Sequence, residues 1–449
     1  TIAINHSMSE QNGMGIGSAH FPGYLSNLRS AVGAANESST WFINGDWYTD
    51  HRNDDRGALA IYALGAPLSL NYGSLYYPEQ RAGFMKSIPV QESRFPEWDD
   101  ANQPFLMSDE ATWNSSNHQA YMSFKNSGYS KAKFNGDTYW TRHVFQFTPK
   151  VQTPIFIIKD TFSNVNLDHI WSFNFTSKDI VQTPSGPVDP PSRFWNYQGN
   201  PKENPTPSSN ISLAAGGFHR FDFTGVNWIA HPAGGINWEV YLAPTQAQIA
   251  NLAEWGHNFI PTAEGDEYET TNNNASFEER QIMMRVKGKE SFYTVIVPYD
   301  KGQRPAGLTV TKSGASTTVQ TNDFTFVTDL NKYTYTETGR NILSTYTTQS
   351  LTFAGATISG NPMELEVKTD TIFARVHGAA GNRQVTLPSG SWVLNPTSSN
   401  ATFNNGIWTL NYTYTDSLNN SYLGGYAEFR WLRGVECTNL TSPVNGATN

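Results

Sequence analysis

Apolar residues in this chain recur at every second position in one stretch after another, and almost never at the three-and-four spacing of a helix. Side chains alternate across a strand, so this rhythm describes strands with one covered face. Residues 168–175 (DHIWSFNF) put His169, Trp171, Phe173 and Phe175 together. Residues 406–415 (GIWTLNYTYT) do the same with Trp408, Leu410, Tyr412 and Tyr414. The segments 139–147, 154–162, 291–299 and 426–433 read alike, and 58–64 (ALAIYAL) is apolar on both faces, as in a strand buried between layers. The one helix candidate is 245–257, where Ile249, Leu252 and Ala253 form a short apolar stripe. The rhythm predicts an all-β protein: a large antiparallel β-sandwich followed by a smaller C-terminal β-sandwich domain.

Composition narrows the choice. Charged residues are 15% of the 449, against about 25% in an ordinary soluble domain, with Asn, Ser, Thr, 36 Gly and 24 Pro in their place. That excludes a coiled coil, a helical bundle and a chain disordered by its own charge. A net charge of -9 argues against a general binder of nucleic acid or anionic membrane. Cys437 is the one cysteine, so no intrachain disulfide and no cysteine-based zinc site forms, while secretion stays open. No run approaches 18 apolar residues, the length of a helical membrane span. The chain opens at Thr1 with neither Met nor leader, and the expectation is a processed product lacking something N-terminal. Sequons at Asn5, Asn36, Asn114, Asn174, Asn210, Asn274, Asn400, Asn411, Asn419 and Asn439 suit a glycoprotein, although a chain this rich in Asn, Ser and Thr generates them by chance.

Two stretches break the rhythm. Residues 183–210 are proline-rich and aperiodic, which predicts an exposed loop or flap; 261–277 are acidic and Asn-rich, another loop. Residues 300–306 (DKGQRPA) end one strand set before a Thr-rich region. The expected domains are therefore 1–305 and 306–449.

Ionisable groups are densest at 46–56, DWYTDHRNDDR, where a loop enters the apolar strand 58–64. A polar knot at that junction holds side chains on a rigid scaffold. His51 can donate, accept or ligate a metal, and Arg52, Arg56, Arg81 and Arg94 can pair with an anion. The plain alternative, equally weighted on residue types, is a solvated hairpin whose aspartates cap turns.

The run TDHRNDDRGALAIYALGAPLSLNYG (49–73) resembles the β-sandwich signature of heparinase II/III-like polysaccharide lyases. There, DH-x-H-x-D leads to a glycine, an apolar strand, a YA-x-G-x-x-L turn and D-x-G. TRHVFQFTPKVQTPIFIIKDTF (141–162) resembles the family's arginine-containing strand and the aspartate-ending strand after it; 168–175 and 277–305 fit their counterparts, so the likeness covers roughly 20–305. It implies a polysaccharide lyase, a carbon–oxygen lyase acting by β-elimination on uronate-containing polysaccharide, with an N-terminal (α/α) toroid, absent from this chain, as partner domain or subunit. It carries the family's catalytic histidine over to His51; Arg52, Asn53 and Arg56, its neighbours in sequence, are the expected substrate-binding residues.

The chain departs from the pattern where some members hold zinc. The second His of DH-x-H is Asn53 and the Asp of D-x-G is Asn71, and asparagine is a poor zinc ligand. No metal and no other cofactor are expected. His20 reads as a loop histidine and His143, beside Arg142, as a packed or hydrogen-bonded one; His118, His219, His231, His257 and His377 show no metal or triad spacing. Asp266, Glu267 and Glu269 read as a solvated acidic loop, and the cluster Asp50, Asp54 and Asp55 as turn chemistry rather than a glycosidase pair. The resulting expectation is the β-sandwich part of a secreted, extracellular or periplasmic, polysaccharide lyase. Its partner is an acidic polysaccharide, with neither nucleic acid nor membrane. The alternative is a non-catalytic carbohydrate-binding or structural extracellular β-sandwich protein.

Overall fold

The computed structural model describes residues 2–5, 25–43, 57–70, 87–92, 113–136, 138–148, 150, 152–177, 180–190, 192–196, 208–228, 231–259, 277–360, 362–377, 380–395, 400–412 and 426–434. Every regular helix or strand element among them is a β-strand, so the fold is all-β. Pairing is antiparallel except where Ser192–Asn196 runs parallel to Gln248–Phe259. Among the described residues no helix is long and apolar enough to cross a membrane. The chain forms two compact units, Thr1–Asn322 and Asp323–Asn449.

Three sheets build the first unit. The largest orders its strands Gly186–Val188, Val181–Thr183, His219–Thr224, Ile236–Leu242, Ser291–Asp300, Ile155–Phe162, Tyr139–Phe147, Ser127–Gly136 and Trp113–Ser123. A second holds Ser192–Asn196, Gln248–Phe259, Phe277–Gly288, His169–Phe175 and Pro89–Gln91 in that order, with Ile211–Leu213 beside Gln248–Phe259. A third is a meander of Ile2–Asn5, Leu25–Ser30, Ser38–Ile43, Leu59–Ala63 and Ala66–Ser69. All three feed one core, with Phe42, Leu59 and Leu68 from the meander, Trp140, Val144 and Phe156 from the largest sheet, and Trp171, Phe173 and Met284 from the second. The alternation in 168–175 is visible here, because Trp171, Phe173 and Phe175 are fully buried in that core. The strand Leu59–Ala63 is covered less completely than its composition suggests, since Ala60 and Tyr62 keep partial exposure.

The second unit is a smaller sandwich. One sheet orders Thr309–Ser313, Ser316–Gln320, Phe324–Thr328, Lys332–Glu337, Arg340–Thr345, Met363–Lys368, Thr371–His377, Tyr426–Arg433 and Trp392–Leu394, its first two strands coming from residues before Asp323. The other carries Leu351–Phe353, Ala356–Gly360, Gly381–Thr386, Ile407–Tyr412 and Ala401–Asn404. Leu343, Met363, Leu365 and Trp431 of the first pack on Ile358, Val385 and Leu410 of the second.

Two local expectations are corrected. The helix expected over 245–257 is the strand Gln248–Phe259, paired in register with Phe277–Gly288. Gln248, Ala250 and Leu252 point into the core while Ile249 stays 38% exposed, so the apparent helical stripe is incidental and sheet pairing decides the conformation. The stretch 183–210 is not wholly loop, for Gly186–Val188 extends the largest sheet and Ser192–Asn196 the second. Residues 261–276 lie outside the described residues.

Candidate functional site

His51, Arg52, Asn53 and Arg56 lie outside the described residues, as do Asn71, Arg81, Arg94 and His20. What the structure describes is the scaffold that delivers them. Ile43 closes one end of the segment 44–56 and Gly57 the other: the Gly57 amide donates to the Ile43 carbonyl (2.8 Å) and the Ile43 amide to the Ala58 carbonyl (3.1 Å). The two residues that flank the segment carrying His51 are thus bonded to each other.

Gly57 is held from below by a fully buried ion pair. Arg142 and Asp160 stand opposite each other on the strands Tyr139–Phe147 and Ile155–Phe162. Arg142 donates through Nε to Asp160 Oδ1 (2.7 Å) and through Nη2 to Oδ2 (2.9 Å). Trp140 Nε1 donates to Oδ1 (2.8 Å), and Trp171 Nε1 donates to Oδ2 (2.9 Å) from the facing sheet. Four donors therefore saturate one carboxylate, which is what a buried charge needs to be tolerated. The remaining nitrogen, Nη1, donates to two carbonyls, Gly57 (2.6 Å) and Ser87 (2.8 Å). One guanidinium thereby fixes Gly57 and Ser87, the residues that follow the sequence segments carrying His51, Arg52, Asn53 and Arg56 and carrying Arg81. Gly57 has φ +87, and a Cβ there would run into the Trp140 ring, so only glycine fits.

The Leu64–Gly65 turn beyond the strand Leu59–Ala63 is held as firmly. Leu64 and Gly65 both have positive φ (55° and 84°). The Leu64 amide donates to Ser38 Oγ (2.9 Å) and the Gly65 amide to the Glu37 carbonyl (2.8 Å). His231 Nε2 donates to the Leu64 carbonyl (2.8 Å), while its Nδ1 accepts from the Ala233 (3.1 Å) and Gly235 (3.2 Å) amides. Asp300 Oδ1 is 3.6 Å from the same ring, yet both ring nitrogens are already committed. His231 is a turn-holding residue rather than half of an acid–base dyad.

Four other histidines are enclosed or engaged. His143 shares a hydrogen bond with Tyr129 Oη (2.8 Å), and burial together with Lys131 and Lys159 lowers it to about 3. His169 is fully buried against the Phe162 ring, and burial takes it to about 4. Burial and Arg383 lower His377 to about 4. His219 bonds the Ala214 carbonyl. A group held this low is neutral near pH 7 but too weakly basic and too enclosed to exchange protons with a bound polymer. Tyr299 is held back too: burial, then Glu239 and Asp222, push it up to about 12. Among the described residues no group of three His, Cys, Asp or Glu could hold a metal.

The anchoring carboxylate Asp160 and its link to Gly57 escaped the residue-by-residue reading. Only the likeness of 141–162 to an arginine strand and an aspartate strand pointed there. The buried charge pair arises from strand register, which the sequence does not display.

No known protein family matches the chain, and no curated protein matches it. Among solved structures there are distant, partial matches. The heparan sulfate lyase HepC from Pedobacter heparinus matches with a TM-score of 0.40 at 10% identity, over 66% of this chain and 40% of that one. A Paenibacillus xanthan lyase matches with 0.44 at 7% identity, over 93% and 38%. A chondroitinase AC lyase matches with 0.39 at 11% identity, over 88% and 51%. The chain thus spans about two fifths to one half of the length of these enzymes.

Proposed function

We propose that this chain is the β-sandwich part of an extracellular or periplasmic polysaccharide lyase that cleaves uronate-containing polysaccharide by β-elimination. The observation that carries the reading is the anchoring of the two residues that flank the segment 44–56: Arg142 holds the Gly57 carbonyl and Gly57 pairs with Ile43, so a sequence rich in His, Arg and Asp leaves and rejoins a rigid core. Connections between the elements of a rigid scaffold are where catalytic side chains are often placed. The signature in that segment supports the lyase chemistry.

In β-elimination the proton at C5 of the uronate leaves to a base, its electron pair forms the C4–C5 double bond, and the C4–O bond breaks with protonation of the departing oxygen. The carboxylate must be neutralised for charge to develop at C5. His51 serves as an acid–base group, Arg52 and Arg56 pair with the carboxylate, and Asn53 donates an amide hydrogen to it. The other convergent groups come from a helical toroid, as domain or subunit, because one histidine cannot supply every proton transfer. Asn53 and Asn71 leave the family's zinc position without its ligands, so the chemistry runs without zinc.

Product analysis tests the reading. Chain ends bearing an unsaturated uronate support elimination. Ends that take up solvent oxygen on cleavage in labelled water mean hydrolysis and overturn it. Binding without cleavage, in the protein joined to its helical domain, favours the carbohydrate-binding alternative.

A further inference from the structure

The outer face of the largest sheet, opposite the Arg142 network, carries an unusual row. Lys131, His143 and Lys159 stand in register on three adjacent strands, and Lys159 faces Tyr293 on a fourth. The hairpin Thr309–Ser313 and Ser316–Gln320 folds over that fourth strand, joined by Tyr293 Oη and Thr317 Oγ1 at 2.7 Å. It brings Lys312 Nζ to 4.0 Å from the centre of the Tyr293 ring. One residue pair further along, Lys133 stands opposite Thr141, and Thr141 opposite Thr161. Lys133 Nζ lies 3.7 Å from the centre of the Tyr139 ring, which is 50% exposed.

Among the described residues, no carboxylate ion-pairs with Lys131, Lys133, Lys159 or Lys312. The acidic group at the near edge, Glu290, is engaged by Thr245 and Gln246. Like charges across neighbouring strands are destabilising. Their proximity is felt, since Lys131 and Lys159 add to burial in lowering His143, and Lys159 adds to burial in lowering Lys312. Strand spacing spreads these cations over roughly 15 Å of flat surface. The row is a concentrated positive strip on a protein of net charge -9.

We propose that this strip is a docking track for an acidic polysaccharide, distinct from the loop 44–56, in which Lys131, Lys159 and Lys312 take the anionic groups and Tyr139 offers its exposed ring to a sugar. Repeated anions on a polymer offset the repulsion that the described residues leave uncompensated. The Thr141 and Thr161 hydroxyls between the cations suit a ligand rich in hydroxyl groups. A single-stranded nucleic acid needs successive aromatic platforms, and among the described residues this face exposes one ring, Tyr139. The track rests on the polymer class proposed above but not on the elimination chemistry, since binding is measured without turnover.

The test is titration of the full chain with polygalacturonate and with heparin at several salt concentrations. Wild type is expected to bind at least one of them, with affinity falling as salt rises. The triple variant Lys131→Gln/Lys159→Gln/Lys312→Gln is expected to bind about tenfold more weakly or worse with a shallower salt dependence. Its Tm should be unchanged or raised, because repulsion is removed. The corresponding triple Lys→Arg variant should retain binding, and so should His51→Ala. Binding left intact in His51→Ala separates this track from the segment 44–56. Undiminished affinity in the triple Gln variant, equal affinity for oligo(dT), or no binding of either polysaccharide by wild type overturns the proposal.

Discussion

At the scale of single residues, Asp160 is the group on which the candidate site's scaffold depends. Its two oxygens accept from Trp140, Trp171 and both Arg142 contacts, and all of this is out of water. Asp160→Asn keeps the shape but replaces one acceptor with a donor and leaves the Arg142 charge without a counterion. A loss of about 3–5 kcal/mol is expected in denaturant unfolding; a loss below about 1 kcal/mol would show that the pair contributes little. Gly57→Ala acts on the same clamp through the Trp140 ring and the positive φ, and should destabilise by at least about 1 kcal/mol. Asn174 offers a further residue-level check. It is fully buried in the strand His169–Phe175, so its sequon should carry no glycan in folded protein, whereas the exposed Asn210 and Asn400 remain accessible. Peptide mapping after secretory expression decides this, and a glycan on Asn174 would contradict the burial.

At the scale of elements, the strand Gln248–Phe259 shows how sequence reading fails. Ile249, Leu252 and Ala253 satisfy a helical spacing, yet Leu252 is buried and Ile249 exposed, which only an alternating strand produces. Leu252→Ala should cost about 2–5 kcal/mol and Ile249→Thr about 0.5 kcal/mol or less. Equal costs would restore the helical face. The strands 139–147, 154–162 and 168–175 were legible because their apolar residues alternate over a long run with a matched core on the other side. The Arg142–Asp160 pair was not, since a charge inside a strand reads as outward until register brings its partner opposite. His231 was missed for a similar reason: its partner, the Leu64 carbonyl, is backbone and distant in sequence.

At the scale of the whole molecule, both units combine with acid sensitivity. His143, His169 and His377 titrate at about 3, 4 and 4 when folded, against about 6.5 in an open chain. The unfolded state binds these protons first, so the stabilisation is complete above about pH 6.5 and is lost as pH falls toward 4. In the second unit burial raises Glu366, but Arg375 at 2.7 Å and Arg340 at 2.6 Å outweigh it and bring it to about 2. Its contribution is present above about pH 4.3 and disappears as pH approaches 2. Denaturant midpoints should therefore fall in two stages on acidification, first below pH 6.5 and again below pH 4.3. A midpoint constant from pH 7 to 4 would contradict the buried neutral histidines. All-β architecture and its layered cores could be read from alternation alone, while the loop 44–56 was found by residue chemistry and resemblance. The measurement that tests the central claim most directly is the rate at which unsaturated uronate appears, by ultraviolet absorbance, when uronate polysaccharide meets this chain joined to the helical domain proposed for it. With His51→Ala the rate should fall about 100-fold or more while the fold is retained; an unchanged rate would remove His51 from the chemistry and contradict the account.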